Sequence, residues 1–159
     1  MKKKIFHKRK KNSKQVFHDF QCIFSSGKSI TAIVIAQLVE KKLLDYNEKI
    51  TKYWPAFGSN GKGNITLADI LRHESGLSWL NHTFSRDDFL LENIKANKIG
   101  QVFEKSSLEF PKRTKREYHY LTRDCLLNEI VRRVDPKGRT IGELIREVSF
   151  DLILSINNL

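Results

Sequence analysis

Four consecutive residues, Ser25-Ser26-Gly27-Lys28, have the types and spacing to do chemistry. As Ser-x-x-Lys they set a hydroxyl nucleophile and an amine one helical turn apart, which brings both side chains to one face. The overlapping Gly27-Lys28-Ser29 instead looks like the tail of a phosphate-binding loop, where lysine and serine would serve a nucleotide and magnesium. Such a loop needs a first glycine where this chain has Cys22, and an apolar strand leading in. The preceding "KNSKQVFHDFQ" is polar and unlike a buried parallel strand. The nucleotide reading is therefore set aside. Ser59-Asn60-Gly61-Lys62 repeats the Ser-x-x-Lys spacing, but in a glycine-rich loop with no helix directly after it. Ser59 reads as a turn serine.

The element that must position Ser25 and Lys28 is a helix predicted from Lys28 to Leu43. Ile30, Ala32, Ile33, Val34, Ile35, Ala36, Leu38 and Val39 cover nearly all of its circumference. A helix apolar all round is expected to be buried on most sides, at the centre of the core. Its N-terminus would give Ser25 a positive dipole and unpaired N–H groups that favour an oxyanion. A lysine buried there would lose hydration and have its pKa pushed down, as a base near neutral pH requires. The alternative is an N-cap serine followed by a surface lysine, and spacing alone leaves both open.

The remaining pattern is helical. Asp45 to Asn64 reads as a connection with Pro55, Gly58, Gly61 and Gly63, anchored by Tyr53, Trp54 and Phe57. Thr66 and Asp69 form a capping box before Leu67, Ile70 and Leu71, with Gly76 as the left-handed stop. Residues 82–117 are mixed, with apolar clusters at Phe89 to Leu91 and Ile99 to Phe103. A helix is predicted from about Arg123 to Val134 through Leu126, Leu127, Ile130 and Val131, ended by Asp135-Pro136. Thr140 and Glu143 form a second capping box, opening a helix through Val148.

The net charge of +11 is concentrated at one end: residues 1–20 hold eight Lys or Arg against a single acid, Asp19. That segment is expected to be a solvated, disordered tail able to contact anionic surfaces. No apolar signal region follows it, and the run from Ile30 to Val39 is too short to span a membrane. Cys22 and Cys125 form no disulfide framework, and an intracellular setting is the default expectation. The five histidines show no metal-ligand spacing, so no metal or cofactor is expected.

The stretch "IFSSGKSITAIVIAQLVEKKLLDYNEKITKYWPAFGSNGKGNITLADILRHESGL" resembles the N-terminal motif block of the β-lactamase-related serine hydrolases. This superfamily contains class C β-lactamases, penicillin-binding proteins, family VIII esterases and the β-lactamase-domain proteins of animals. "KREYHYLTRDCLLNEIVRRVDPKGRTIGELIREV" looks like its second block. The resemblance covers roughly Gln21 to Val148 and leans to the animal and esterase-like branch. It implies an α+β fold, an antiparallel sheet flanked by helices, of which residues 21–159 would be a partial domain, mostly α and lacking much of the sheet. It also implies two-step acyl transfer on an ester or amide of a small molecule or peptide. Ser25 would be the acylated nucleophile, with its N–H half of the oxyanion hole, Lys28 its proton-accepting partner, and Tyr118 a proton shuttle. The resemblance leaves open whether Lys28 or Tyr118 is the base, and it gives His119 no catalytic role.

Three departures qualify these expectations. Only the basic segment stands where family strands precede the helix. The late third motif, Lys, His or Trp followed by a small residue and Gly, is not found. Tyr120 stands where many members carry a small or amide side chain. A truncated, impaired hydrolase is one expectation that follows. The competing one is a non-catalytic helical interaction module whose basic tail binds acidic partners.

Overall fold

The computed structural model describes residues 23–147. The basic segment 1–20, Cys22 and the stretch from Val148 onward lie outside the described residues. Six α-helices fall within them: α1 (Gly27–Glu40), α2 (Ile50–Tyr53), α3 (Leu67–Leu71), α4 (Leu91–Lys95), α5 (Lys98–Lys105) and α6 (Thr122–Val134). A further helical stretch covers 141–147. No β-strand forms among the described residues, where the sheet-like pairing is one antiparallel bridge between Lys49 and Thr66.

The core gathers Ile35 and Leu38 of α1 with Ile50, Trp54, Phe57, Leu67, Ile70 and Phe103. Leu126, Leu127, Ile130 and Val131 of α6 complete it. Each such side chain contributes about 1.5–3 kcal/mol when fully removed from water, so α6 is the main pillar of the assembly. α1 packs on α6, but its apolar circumference is only half used. Val34, Ile35 and Leu38 are buried, whereas Ile30 and Ile33 face outward, Ile33 at 60% exposure. The expectation of burial on most sides is corrected accordingly. With Leu144 and Ile145 these outward residues line a shallow apolar groove.

The chain between α1 and α3 is more ordered than a plain connection. α2 and a 3-10 turn at Pro55–Gly58 bury Trp54 and Phe57. Lys62 is fully buried and sends its ammonium to the carbonyls of Glu104 (3.3 Å) and Ser106 at the C-terminal end of α5. There a helix leaves carbonyls without partners, and a cation suits them. Burial pushes the Lys62 ammonium pKa down. Ser59 Oγ meanwhile donates to the Ala56 carbonyl. The second Ser-x-x-Lys is thus structural, as its glycine-rich setting predicted.

Both capping boxes form. The Thr66 N–H donates to Asp69 Oδ2 at 2.9 Å while the Asp69 N–H donates to Thr66 Oγ1 at 3.3 Å. The Thr140 N–H donates to Glu143 Oε2 at 2.8 Å, and the Glu143 N–H returns to Thr140 Oγ1 at 3.2 Å. Thr66→Ala is expected to cost about 1 kcal/mol in denaturant unfolding, the usual loss of a side-chain cap. An unchanged midpoint would show that Asp69 alone holds the turn. α3 stops earlier than Gly76: Arg72 caps it and His73 takes the left-handed conformation with φ 64°. Gly76 has φ 79° in the following loop, where a Cβ would overlap the Phe110 carbonyl. In the sequence, α5 shows only as an apolar cluster. It turns Ile99 and Phe103 into the core from Asn97, which caps it in a left-handed conformation.

Candidate active site

Ser25 sits in a 3-10 turn, Phe24–Ser26, that runs directly into α1. Tyr118, 93 positions away, donates its hydroxyl to Ser25 Oγ at 2.6 Å. Lys28 lies in the first turn of α1, 14% exposed, with Nζ 5.3 Å from the centre of the Tyr118 ring. Its ammonium donates to the Tyr120 carbonyl at 2.8 Å and pairs with Asp124 Oδ2 at 3.2 Å. No hydrogen bond joins Lys28 to Ser25. An ammonium has three N–H donors; one goes to the Tyr120 carbonyl, while the charge pairs with Asp124. The structure thus brings Ser25, Lys28 and Tyr118 together, with the tyrosine in contact with the serine and the lysine behind the ring.

Tyr118 reaches Ser25 because residues 109–120 are tied along the α3 loop. The Arg113 N–H donates to the Glu74 carbonyl, the Glu117 N–H to the His73 carbonyl, and the Glu109 N–H to the Gly76 carbonyl. Arg113 Nε meets Asp69 Oδ1 at 2.5 Å, and Arg116 reaches Glu74 at 2.6 Å. Burial alone would raise the Asp69 carboxyl, but the Thr66 N–H and hydroxyl together with Arg113 hold it below the usual carboxylate range. Ser78 Oγ donates to Glu109 Oε2 at 2.6 Å and lies 3.1 Å from Glu117 Oε1, closing the same seam.

Beneath Tyr118 lies a pair of histidines. His119 is fully buried, with Nε2 2.8 Å from Ser75 Oγ and Nδ1 2.6 Å from the Glu117 carbonyl. A carbonyl only accepts, so Nδ1 carries the proton and Nε2 accepts from Ser75. His73 Nδ1 in turn accepts the His119 main-chain N–H at 2.9 Å. Burial, then the neighbouring His119, Arg123 and Lys28, push His73 down to about 4 against the opposing pull of Asp124. Burial lowers His119 as well. The unfolded chain therefore binds protons on these two rings below about pH 6.5 while the folded chain refuses them. Stability should be complete above pH 6.5 and decline as pH falls towards 4, by roughly 1–3 kcal/mol. Urea midpoints at pH 7 and 4.5 check this. Equal midpoints would mean that the rings take protons in the fold.

Cys125, behind Asp124 on α6, is no competing nucleophile: burial pushes its thiol up to about 12. Among the described residues no group of His, Cys, Asp and Glu could hold a metal ion, and no helix is long and apolar enough to cross a membrane. A concavity of about 780 Å³ opens elsewhere, lined by Trp79, His82, Lys98 and Leu108 among others. It contains none of Ser25, Lys28 and Tyr118, and its Ser106 hydroxyl is bonded to the Val102 carbonyl.

Sequence reasoning missed Asp124 and His73 here. An acid in the first turn of α6 reads as ordinary helix-dipole compensation. The histidine of "RHESGL" carried no spacing that pointed at Tyr118.

The family model described as Beta-lactamase matches residues 20–154. Esterase/beta-lactamase LipL of Mycobacterium tuberculosis is 36% identical over 129 residues, covering 79% of this chain and 27% of LipL. Among solved structures, a penicillin-binding protein homolog from Caulobacter crescentus is 34% identical with a TM-score of 0.66. EstA from Arthrobacter nitroguajacolicus Rue61a is 28% identical with a TM-score of 0.67. Each of these two alignments covers 78% of this chain and 32% of the other. A family VIII carboxylesterase is 26% identical with a TM-score of 0.67, covering 76% and 32%. The chain spans about a third or less of the length of these relatives. It belongs to the β-lactamase family.

Proposed function

We propose that this chain carries a Ser-x-x-Lys acyl-transfer centre acting on an ester or amide. The observation that carries the proposal is the 2.6 Å hydrogen bond between Tyr118 Oη and Ser25 Oγ. Ser25 Oγ attacks the carbonyl carbon, the bond to the leaving group breaks, and the serine proton passes through Tyr118 to that group. Water then releases the acyl chain by the reverse route. Lys28 acts as the fixed cation behind the Tyr118 ring, favouring negative charge as it passes through the phenol oxygen. The Ser25 N–H supplies one donor to the oxyanion.

A second oxyanion donor is not identified among the described residues, and removing one such donor costs about 10²–10³ in rate. Turnover by this chain alone is accordingly expected to be slow, and covalent trapping is the better assay. A fluorophosphonate or penicillin probe should label the folded chain at Ser25. A folded sample with no label at Ser25 overturns the proposal.

A further inference from the structure

We propose that His73 is a positioning residue for Tyr118, its neutral ring accepting the His119 main-chain N–H and bracing the phenol against Ser25. The proposal rests on the acyl-transfer reading above and assigns a task to a residue outside its machinery.

Three contacts carry it. The His119 N–H donates to His73 Nδ1 at 2.9 Å, so that nitrogen must be unprotonated and the proton must sit on Nε2. The Glu117 N–H donates to the His73 carbonyl at 3.0 Å. The residues on both sides of Tyr118 are thus fastened to the same residue. The His73 ring also stands 4.9 Å from the Tyr118 ring and 5.3 Å from the His119 ring, tilted against both. His73 reaches this place because it adopts φ 64° at the end of α3, which few residues without glycine's freedom tolerate. Histidine is among the more tolerant types, and its left-handed turn sends the chain back beneath Tyr118.

The charges facing the ring fix its state. Lys28 of α1 and Arg123 of α6 oppose a proton on it, as does His119. Asp124 of α6 favours one but is already paired with Lys28 and Arg123. Protonating Nδ1 would destroy the acceptor for the His119 N–H and set a cation beside Lys28. The link between Tyr118 and the α3 loop would then slacken, and a shift near 1 Å costs about 10²-fold in a positioned reaction.

The test uses the full chain and three forms of it: wild type, His73→Asn, whose amide oxygen can replace Nδ1 as acceptor, and His73→Leu, which fills space without one. Imidazole nitrogen shifts and Tyr118 ring shifts are followed by NMR from pH 4 to 8, beside the rate of fluorophosphonate labelling at Ser25. The expected result is an Nε2–H tautomer for His73 down to near pH 4. His73→Leu should displace the Tyr118 ring signals and slow labelling about 10- to 100-fold, whereas His73→Asn restores both.

An ordinary titration of His73 near pH 6.5 would overturn the proposal. So would wild-type Tyr118 shifts in folded His73→Leu. If His73→Leu fails to fold, the wild-type tautomer and the His73→Asn ring shifts decide instead. Failure of wild type to label at Ser25 would sink the acyl-transfer reading alone, because the NMR comparison needs no reaction.

Discussion

Ser25→Ala should abolish probe labelling altogether, and Tyr118→Phe should slow it about 10²- to 10⁴-fold with little change in stability. The second substitution removes one oxygen from a half-exposed ring, and that oxygen contacts Ser25. Packing of the ring on His73 survives, so thermal unfolding should move little. The choice of probe separates the two jobs proposed for Tyr118. Fluoride leaves a fluorophosphonate without needing a proton, so that probe reports only deprotonation of Ser25. An alkyl ester or a β-lactam also needs its leaving atom protonated, and there Tyr118→Phe should cost more. Equal losses with both probes would confine Tyr118 to the base role. No loss with either would move the proton path to Lys28, whose replacement by methionine should then be the larger effect.

Asp124 bears on that choice. It holds Lys28 together with the Tyr120 carbonyl, and no hydrogen bond joins Lys28 to Ser25. The sequence showed the lysine and the serine one turn apart and could show nothing of the acid 96 positions on. The same limit explains what was legible elsewhere. Capping boxes at Thr66 and Thr140 are written in adjacent residues, and both formed. The α6 stripe of Leu126, Leu127, Ile130 and Val131 repeats at helical spacing, and all four residues are buried.

α5 was missed because Ile99, Val102 and Phe103 span less than two turns and its cap, Asn97, acts through backbone conformation rather than a side-chain bond. The apolar circumference of α1 told how much surface wants cover, not which residues supply it. Ile30 and Ile33 remain outward among the described residues. The stop of α3 fell at His73 rather than Gly76 because the ring's contacts across the fold outweigh the local preference for glycine.

Glu129→Ala should destabilise the fold by about 3–5 kcal/mol, the cost of stripping a buried ion of its partner. Glu129 is fully buried on α6 and receives Arg132 at 2.6 Å and Arg133 at 2.7 Å. Both arginines, about 15% exposed, also donate to Asn97 Oδ1 at 2.6 Å. Arg133 stacks 3.9 Å from the Trp54 ring, whose Nε1–H donates to Glu104 at 2.8 Å. One carboxylate thereby joins α6 to the start of α5 and to the turn after α2. Without it, two guanidiniums stay in low-dielectric surroundings with the Asn97 amide oxygen and, for Arg133 alone, the Glu129 main-chain carbonyl and the Glu104 carboxylate at 3.8 Å. Burial already pushes Arg133 down in the intact fold. Glu129→Gln should lose less, since one acceptor oxygen remains, and Glu129→Ala combined with Arg132→Leu and Arg133→Met should recover part of the loss.

Urea midpoints measure all three variants. If the triple variant is no better than Glu129→Ala, the network is worth its contacts rather than its charge balance. The functional consequence follows from geometry. α6 begins just after Tyr118 and Tyr120 and carries Asp124 in its first turn. Loosening its far end should therefore also slow labelling at Ser25, by less than Tyr118→Phe does, and only where the helix itself has begun to fray.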